Sequence, residues 1–384
     1  MTDLYSGREQ TKAKHFILKR YLQALAFKVL RFYDITYVDG FSGPWKSQTE
    51  DFADSSFMIA IDVLRDAQQQ ILNETGKRPR VRCFFSENNR QAFTKLAAAI
   101  APFHKPEEGF EIKTYCGDFE DAVLEIQAFI GQSFPLIFID PTGWTGYAFD
   151  KIKPLFNRPK CEVLINFMYD FINRAASMRD AKTIASLDPI LGGPHWEERL
   201  DSNLPRGRAV EKLFRDTLET TGNFGFVVST KIDRPTADRP LFFIAYGTKS
   251  QEGLKAFREI EYGALRVNAR DRAEAKERKR EDKSGSPDLF AGLDADVQES
   301  TLDDIVEEQK TLASEELLAI IQEFGPMSFS SVWAILLRAH MLRVTNVKDI
   351  CVDLAKAGKI ENTWGSGNRK PRDEDMIKLK TNAS

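Results

Sequence analysis

Four acidic residues stand at the ends of four predicted strands, and their positions are typical of a ligand site. Asp39 ends ITYVD and Glu87 ends RVRCFFSE. Asp118 follows FEIKTYCG, and Asp140 follows PLIFI. Because open α/β sheets bind ligands outside the carboxyl ends of their strands, the four carboxylates are expected to meet in one crevice. The alternative for each acid is to cap the following helix, and four acids in register favour the ligand site.

The turn after the first strand, DGFSG, is predicted to lie closest to the ligand. Glycine has no side chain to hold a bound molecule away from the backbone, so such a turn allows close approach. We expect it to bind the charged amino-acid tail of a cofactor. The residues assigned to this role are Asp39, Gly40, Phe41, Ser42 and Gly43.

The other three acids have separate expected roles. Glu87 ends the second strand, where a carboxylate can accept hydrogen bonds from both hydroxyls of a ribose. Asp118 is placed to accept a bond from the exocyclic amine of adenine, with Phe119 against the base. Asp140 opens the turn DPTGW, where substrate chemistry would occur. Together these roles predict a ligand that contains adenosine.

Two absent motifs narrow the choice of cofactor. The sequence contains neither G-x-G-x-x-G nor G-x-x-x-x-G-K-[ST], the loops that bind the phosphates of dinucleotides and of ATP. An acid followed by one short glycine turn suits a cationic ligand without phosphates. S-adenosylmethionine carries a sulfonium and an ammonium group, and it is the predicted cofactor.

Composition limits the classes of partner. The formal net charge of the 384 residues is −3, so any nucleic-acid contact must come from local basic patches. The four cysteines are widely spaced without a C-x-x-C pair, which argues against zinc, iron–sulfur and disulfide sites and favours a reducing compartment. The polar start and the lack of an apolar run of roughly 18 residues argue against a signal peptide and a membrane partner. We expect a cytoplasmic protein without a metal.

Helices alternate with strands over the first two thirds of the chain. The spacing predicts helices at 11–33, 55–75, 89–103 and 119–131, strands at 34–39, 80–87, 110–119 and 161–168, and a strand with its turn at 135–144. Two more strands, at 224–232 and 240–248, are joined by the turn DRPTADRP and form a hairpin. This order predicts an α/β fold with a mostly parallel sheet and a terminal antiparallel hairpin. By fold analogy that is the Rossmann-like arrangement of class I methyltransferases.

The remaining chain has a different pattern. Amphipathic helices are predicted at 314–326, 328–340 and 346–360, followed by two strands around a basic loop, which is the order of a winged helix-turn-helix. The predicted domains are therefore a methyltransferase-like α/β domain (1–265), a charged helix and flexible linker (266–310) and a winged helix-turn-helix domain (311–380).

Winged helices bind DNA through a recognition helix and a wing, although many bind proteins instead. The candidate nucleic-acid contacts are Asn346 and Lys348 on the helix, and Arg369, Lys370 and Arg372 on the wing. In the first domain, Asn166, Tyr169 and Asp170 follow the fifth strand and are candidates for the substrate side.

Several segments together resemble the three-Cys-motif partner proteins. These segments are TKAKHFILKRYLQAL, YVDGFSGP, GDF and FIDPTGWTGY. The resemblance covers roughly residues 8–265, and residues 311–380 resemble the winged-helix domain appended in many members. It implies a methyltransferase-like fold. It also implies a separate three-Cys-motif partner protein, thought to be a radical S-adenosylmethionine enzyme, to which the three cysteines belong.

Two motifs also resemble those of nucleic-acid methyltransferases. VDGFSGPW resembles the cofactor loop D-x-F-x-G-x-G, with Trp45 in place of the last glycine. DPTGW resembles the D-P-P-[FYW] motif of amino-methyltransferases, in which the acid and a proline carbonyl hold an amine and the aromatic ring stacks on a flipped base. Asp140 and Pro141 match directly, Thr142 replaces the second proline, and Trp144 comes one position late. The resemblance implies Asp140, Pro141 and Trp144 as catalytic residues.

The sequence therefore predicts a nucleic-acid methyltransferase that uses S-adenosylmethionine and works with a three-Cys-motif partner protein. The alternative is a non-catalytic protein that binds DNA or a partner and keeps a vestigial cofactor domain. A third possibility is a different S-adenosylmethionine-linked chemistry carried out jointly with the radical enzyme.

Overall fold

The computed structural model describes residue 5 and residues 9–43, 47, 49–178, 180–284, 293–365 and 369–380. The chain divides into two compact units, Met1–Ser250 and Gln251–Ser384. This boundary precedes the predicted one at 265, because the helix that contains residue 265 begins at Gln251 and packs against other helices of the second unit.

A seven-stranded sheet runs through the described part of the first unit. Its strands are β1 (Ile35–Asp39), β2 (Val81–Glu87), β3 (Phe110–Cys116), β4 (Phe134–Ile139), β5 (Glu162–Phe167), β6 (Phe226–Arg234) and β7 (Ala237–Thr248). Their order in the sheet is β3-β2-β1-β4-β5-β7-β6. β1 to β5 pair in parallel, whereas β7 is antiparallel to β5 and β6. The predicted mostly parallel α/β sheet with its antiparallel hairpin is confirmed.

Helices connect these strands and cover the sheet. They are α1 (Glu9–Val29), α2 (Ser56–Thr75), α3 (Arg90–Ile100), α4 (Val123–Ile130), α5 (Phe149–Phe156), α6 (Tyr169–Ser177), α7 (Ala181–Ala185) and α8 (Arg206–Gly222). Short 3₁₀ turns lie at Ala101–Phe103, Pro106–Glu108 and Trp196–Arg199. Every residue of β1 and β5 is buried. Because successive side chains of a strand point to opposite faces, both faces of the sheet are packed there.

Local sequence signals set the ends of α2. The Ser55 side chain accepts a hydrogen bond from the backbone N–H of Met58 at 3.3 Å, as expected of an N-cap. Gly76 ends the helix in the left-handed conformation with φ 70°, which glycine adopts without strain. This cap places the start of α2 beside the turn after β1, where the Ser56 hydroxyl contacts Asp39.

A buried polar cluster fixes α1 to the sheet. The Tyr21 hydroxyl donates to Glu162 Oε2 at 2.5 Å, and the Thr248 hydroxyl donates to Glu162 Oε1 at 3.0 Å. The hydroxyls of Tyr21 and Tyr246 also contact each other. Burial raises the pKa of Glu162 above its ordinary value, against the opposing effect of these donors. The cluster joins the middle of α1 to β5 and β7, which fixes where the first turns of α1 lie.

The second unit contains long helices and a small two-stranded sheet. Its elements are α9 (Gln251–Ser284), α10 (Leu293–Phe324), β8 (Met327–Ser328), α11 (Phe329–Ala339), α12 (Val344–Lys356) and β9 (Met376–Ile377). β8 pairs antiparallel with β9, and Ile360 bridges Leu379. Trp333 of α11 is buried and donates its indole N–H to Asp373 at 3.0 Å. Within the predicted charged helix and flexible linker at 266–310, residues 266–284 lie in α9 and residues 293–310 lie in α10. Residues 285–292, like residues 366–368 of the predicted wing, lie outside the described residues.

None of the helices in the described ranges has both the length and the apolar content needed to cross a membrane.

We expect Tyr21→Phe to lower the free energy of unfolding by about 1–2 kcal/mol, because buried Glu162 loses a donor. Urea unfolding followed by circular dichroism measures the change. Tyr33→Phe is the matched control: Tyr33 is 47% exposed, and the contact of Lys160 with its ring survives the loss of the hydroxyl. Equal effects of the two substitutions would show that the Tyr21–Glu162 bond does not hold α1.

Candidate functional site

The carboxyl ends of the parallel strands border a cavity of about 720 Å³ in the first unit. Its walls come from the first turns of α1, the turns after β1 to β4, the start of α2, the end of β5 and part of β7. Glu87, Asp118 and Asp140 line it. Three of the four strand-end acids therefore meet in one crevice, as the strand positions predicted.

The fourth acid, Asp39, lies beneath the cavity wall. Its side chain is fully buried and accepts hydrogen bonds from the Phe41 backbone N–H at 3.0 Å and the Ser56 hydroxyl at 2.7 Å. Burial raises the pKa of Asp39 to about 6, although both donors lower it. The Ser42 hydroxyl donates to the Asp39 carbonyl at 2.9 Å. Asp39 and Ser42 thus hold the turn, whose Gly40, Phe41 and Gly43 line the cavity.

Gly40 occupies a position with no room for a side chain. A Cβ there would lie 2.9 Å from the Phe119 ring, a distance that real Cβ atoms do not adopt. Phe119 is buried and lines the cavity, and its ring centroid is 6.0 Å from that of Phe41. The glycine therefore allows the two aromatic rings to form one wall. Trp45, where the cofactor-loop motif departs from its pattern, lies outside the described residues.

Glu87 and Asp118 occupy the wall near β2 and β3. Glu87 is 4% exposed, and its Oε1 accepts the Asn89 backbone N–H at 2.7 Å. Asp118 is exposed, and its Oδ1 accepts the Asn88 side-chain N–H at 2.8 Å. Asn88 also lines the cavity. The sequence pattern identified both acids but gave no role to Asn88.

Asp140 lies between an ammonium group and an amide. Lys14 of α1 donates to Asp140 Oδ2 at 2.5 Å, and the Asn166 side chain at the end of β5 donates to Asp140 Oδ1 at 2.7 Å. The side chains of Lys14 and Asp140 are 13% and 17% exposed. A charge-assisted pair at this depth is stronger than one at the surface. It fixes the carboxylate at the cavity wall.

The DPTGW turn divides between two environments. Asp140 and Pro141 line the cavity, as do Thr142 and Gly143. Trp144 is not among the described cavity-lining residues: it packs against the hydrophobic core, and its indole N–H donates to the Ser186 hydroxyl at 2.9 Å. In this structure Trp144 is therefore separated from the two residues with which the motif groups it.

Helix α1 contributes cavity residues that the strand-end pattern did not include. Gln10, Thr11, Lys14 and His15 line the cavity, at spacings that put them on one helical face. One feature of the sequence could have identified these residues: they are polar side chains on a helix whose other residues are mostly apolar. Asp54, just ahead of α2, is also a lining residue; it accepts the Ser47 hydroxyl at 2.5 Å.

The nucleic-acid candidates of the second unit differ in exposure. Asn346 is buried and caps α12, since its side-chain oxygen accepts the Arg343 backbone N–H at 2.9 Å. Lys348 is partly buried, with its ammonium 5.7 Å from the centroid of the Phe329 ring. The other three candidates, Arg369, Lys370 and Arg372, are exposed. Lys370 forms an ion pair with Asp349. The structure thus exposes the three cations of the predicted wing to solvent and gives Asn346 a capping role.

Few known proteins match this chain. No family model matches the chain, and no curated protein matches it. Ten solved chains match, among them the crystal structure of protein LPL1258 from Legionella pneumophila str. Philadelphia 1, described as DUF519. The two are 12% identical, the match covers 62% of this chain and 83% of that chain, and the TM-score is 0.33.

We expect Asp39→Asn to stabilise the protein at pH 8. The folded-state pKa of about 6 exceeds the ordinary 3.8, so the stability that the protonated Asp39 provides below about pH 4 is lost as the pH rises through 6. The carboxamide can still accept the Phe41 N–H and can donate to Ser56. The gain at pH 8 is therefore expected to reach at most about 3 kcal/mol and to vanish near pH 4.

Urea unfolding at the two pH values measures this difference. Asp353→Asn, at a surface position 69% exposed in the second unit, controls for loss of a charge. A variant at Asp39 that is less stable than the wild type at pH 8 would contradict the raised pKa.

Proposed function

We propose that this chain is an S-adenosylmethionine-dependent methyltransferase that acts on nucleic acid. Its first unit would be a class I methyltransferase fold and its second a winged helix-turn-helix. The observation that supports this most is the meeting of Glu87, Asp118 and Asp140 in one cavity. The cavity volume of about 720 Å³ lies within the range of roughly 300–1,000 Å³ found for ligand sites.

The sheet supports the proposed fold. Strands β1 to β3 extend the sheet in one direction and β4 and β5 in the other, with an antiparallel strand inserted next to the last edge strand. Cofactors of such sheets bind at the point where the strand order reverses, which here lies between β1 and β4. The cavity lies at that point.

Each part of S-adenosylmethionine would meet a different wall. Glu87 would accept the ribose hydroxyls, and Asp118 would accept the adenine amine with Phe119 against the base. The amino-acid end, which carries an ammonium and a carboxylate group, would lie along the turn after β1, with the ammonium near Asp54, which is 3% exposed. The negative charge of Asp39, which is buried beneath the same turn, would attract the ammonium group electrostatically. Acids in a site without a phosphate-binding loop favour this cation over a nucleotide.

Methyl transfer needs in-line positioning more than it needs a catalytic base. S-adenosylmethionine, held by Glu87 and Asp118, would supply an electrophilic methyl group for direct transfer to the target atom. A proton then leaves the methylated atom to Asp140 or to water. Asp140 and Pro141, at the cavity wall, would hold the target atom in line with the sulfonium group.

The second unit would supply nucleic-acid affinity. Its order of α10, β8, α11, α12 and β9, with the bridge between Ile360 and Leu379, agrees with a winged helix. Arg369, Lys370 and Arg372 would contact phosphates. A three-Cys-motif partner protein is proposed on the sequence resemblance alone.

The position of Trp144 favours a second candidate function. Because this ring packs against the core, the described cavity lining lacks the aromatic platform that the motif would place beside Asp140. A non-catalytic protein that binds DNA or a partner, with a vestigial cofactor domain, would tolerate that loss. Transfer of a labelled methyl group from S-adenosylmethionine to DNA or RNA separates the two functions.

We expect the intact chain to bind S-adenosylmethionine and S-adenosylhomocysteine in titration calorimetry. Glu87→Gln and Asp118→Asn should each weaken binding about tenfold or more, since each removes a charged acceptor worth roughly 1.5–3 kcal/mol. Glu125→Gln on α4 is the control, because this acid pairs with Lys113 of β3 and is not among the described cavity-lining residues. If the folded chain binds neither compound, the result would contradict a cofactor site and favour the alternative that the strand-end acids are helix caps.

We expect the wing cations to determine the salt dependence of nucleic-acid binding. Replacing Arg369, Lys370 and Arg372 together with alanine should lower the slope of log affinity against log salt by up to about 3, because each phosphate contact contributes about 0.9. Fluorescence anisotropy with a short DNA duplex measures the slope. Lys356→Ala, which removes a 76% exposed cation from the end of α12, should leave it unchanged. An unchanged slope in the triple variant would place the binding surface elsewhere.

A further inference from the structure

Three arginines of the first unit surround one buried carboxylate. Asp170, in the first turn of α6, is 6% exposed. Its Oδ2 lies 3.0 Å from a guanidinium nitrogen of Arg174 on α6 and 2.5 Å from one of Arg234 on β6. Its Oδ1 lies 3.4 Å from a nitrogen of Arg239 on β7. We call these four side chains the arginine cluster. Together they carry a charge of +2, so the cluster is cationic although an acid stands at its centre.

The cations of the cluster face solvent. The side chains of Arg174 and Arg239 are 59% and 61% exposed, whereas that of Asp170 is 8% exposed. Asp233, which lies next to Arg234 in β6, pairs with Lys231 at 3.1 Å, so this acid is compensated by its own cation. The surface of the cluster is therefore formed by guanidinium groups, which match the oxygens of phosphates in geometry and charge.

The arrangement fits several phosphates in a row. Arg174 and Arg239 contact different oxygens of Asp170, so they approach the carboxylate from different sides. Their charges are thus presented at separate points and not at one pocket. A strand of nucleic acid carries a phosphate at every nucleotide, and it can contact both points at once.

The cluster lies at the rim of the cavity. Strands β5 and β7 are antiparallel, so the end of β5 and the first residues of β7 share one edge of the sheet. Met168, directly after β5, and Leu241 of β7 line the cavity. Asp170 and Arg239 are each two residues from one of them, which places their backbones within about 7 Å of the lining.

We propose that Arg174, Arg234 and Arg239 bind the phosphates of a nucleic-acid strand beside the cavity. This inference rests on the proposed function for the kind of partner, and it adds a contact surface on the first unit to the wing cations of the second. Phosphate contacts fix the position of a strand without reading its sequence. Asp170 is a positioning residue: it holds guanidinium groups from three elements in place, which reduces the ordering cost of binding.

The experiment measures how salt changes the affinity of the full chain for a short single strand of DNA. Fluorescence anisotropy gives the affinity at several salt concentrations, and the slope of log affinity against log salt reports the number of phosphates contacted. Replacing Arg174 and Arg239 together with alanine should lower the magnitude of this slope by up to about 1.4, because each contact with a single strand contributes about 0.7. Arg239→Ala alone should lower it by about half as much.

Two further pairs of substitutions separate charge from packing. Arg174→Lys with Arg239→Lys keeps both charges without the planar guanidinium, and it should keep the slope close to that of the wild type. Lys77→Ala with Arg80→Ala removes two exposed cations between α2 and β2, at the opposite edge of the sheet. This control pair should leave the slope unchanged. Circular dichroism checks that each variant is folded.

The inference is overturned if the alanine pair keeps the wild-type slope, or if the lysine pair lowers the slope as much as the alanine pair does. Transfer of a labelled methyl group to the same strand tests the proposed function separately. Methyl transfer together with an unchanged slope in the alanine pair overturns the inference alone. A slope that depends on the cluster, without methyl transfer, overturns the enzyme and supports the binding surface. A folded wild type that does not bind the strand overturns both.

Discussion

The parallel pairing of β1 with two neighbours is the constraint on which the site depends. Ile35 lies opposite Val81 of β2 and opposite Phe134 of β4, so three strands run side by side in the same direction. From β1 the chain passes to β2 and then to β3, which lie on one side of β1 in the sheet. It then returns to β4, which lies on the other side of β1. Connections that diverge in this way leave a crevice above the strand ends. The four strand-end acids lie at or next to that crevice.

Much of this arrangement is predictable from local sequence. The apolar runs that end in acids mark the strand ends, and the alternation with helices requires a parallel sheet. Convergence of Glu87, Asp118 and Asp140 follows from those two facts without any knowledge of side-chain packing. The antiparallel hairpin is also predictable from the sequence, because a turn as short as DRPTADRP cannot make a parallel crossover.

The remaining features depend on tertiary packing. The burial of Asp39 follows from the return of Ser56 to the turn, and the placement of Trp144 follows from the position of Ser186. Neither contact can be predicted from the spacing of residues along the sequence. Lys14 reaches Asp140 across 126 positions of the chain, because the buried Tyr21–Glu162 contact fixes the path of α1. Functional sites often keep such costly polar groups, and they are where local rules are least reliable.

The close approach of Gly40 to Phe119 links two parts of the sequence that otherwise look independent. With 2.9 Å between the ring and the place of a Cβ, the space between the turns that follow β1 and β3 holds either a large aromatic at 119 or a side chain at 40, but not both. The two positions therefore behave as one steric unit that divides a fixed volume. A chain that exchanged the aromatic for a smaller residue would gain freedom at the glycine, and its cavity would change shape on two walls at once.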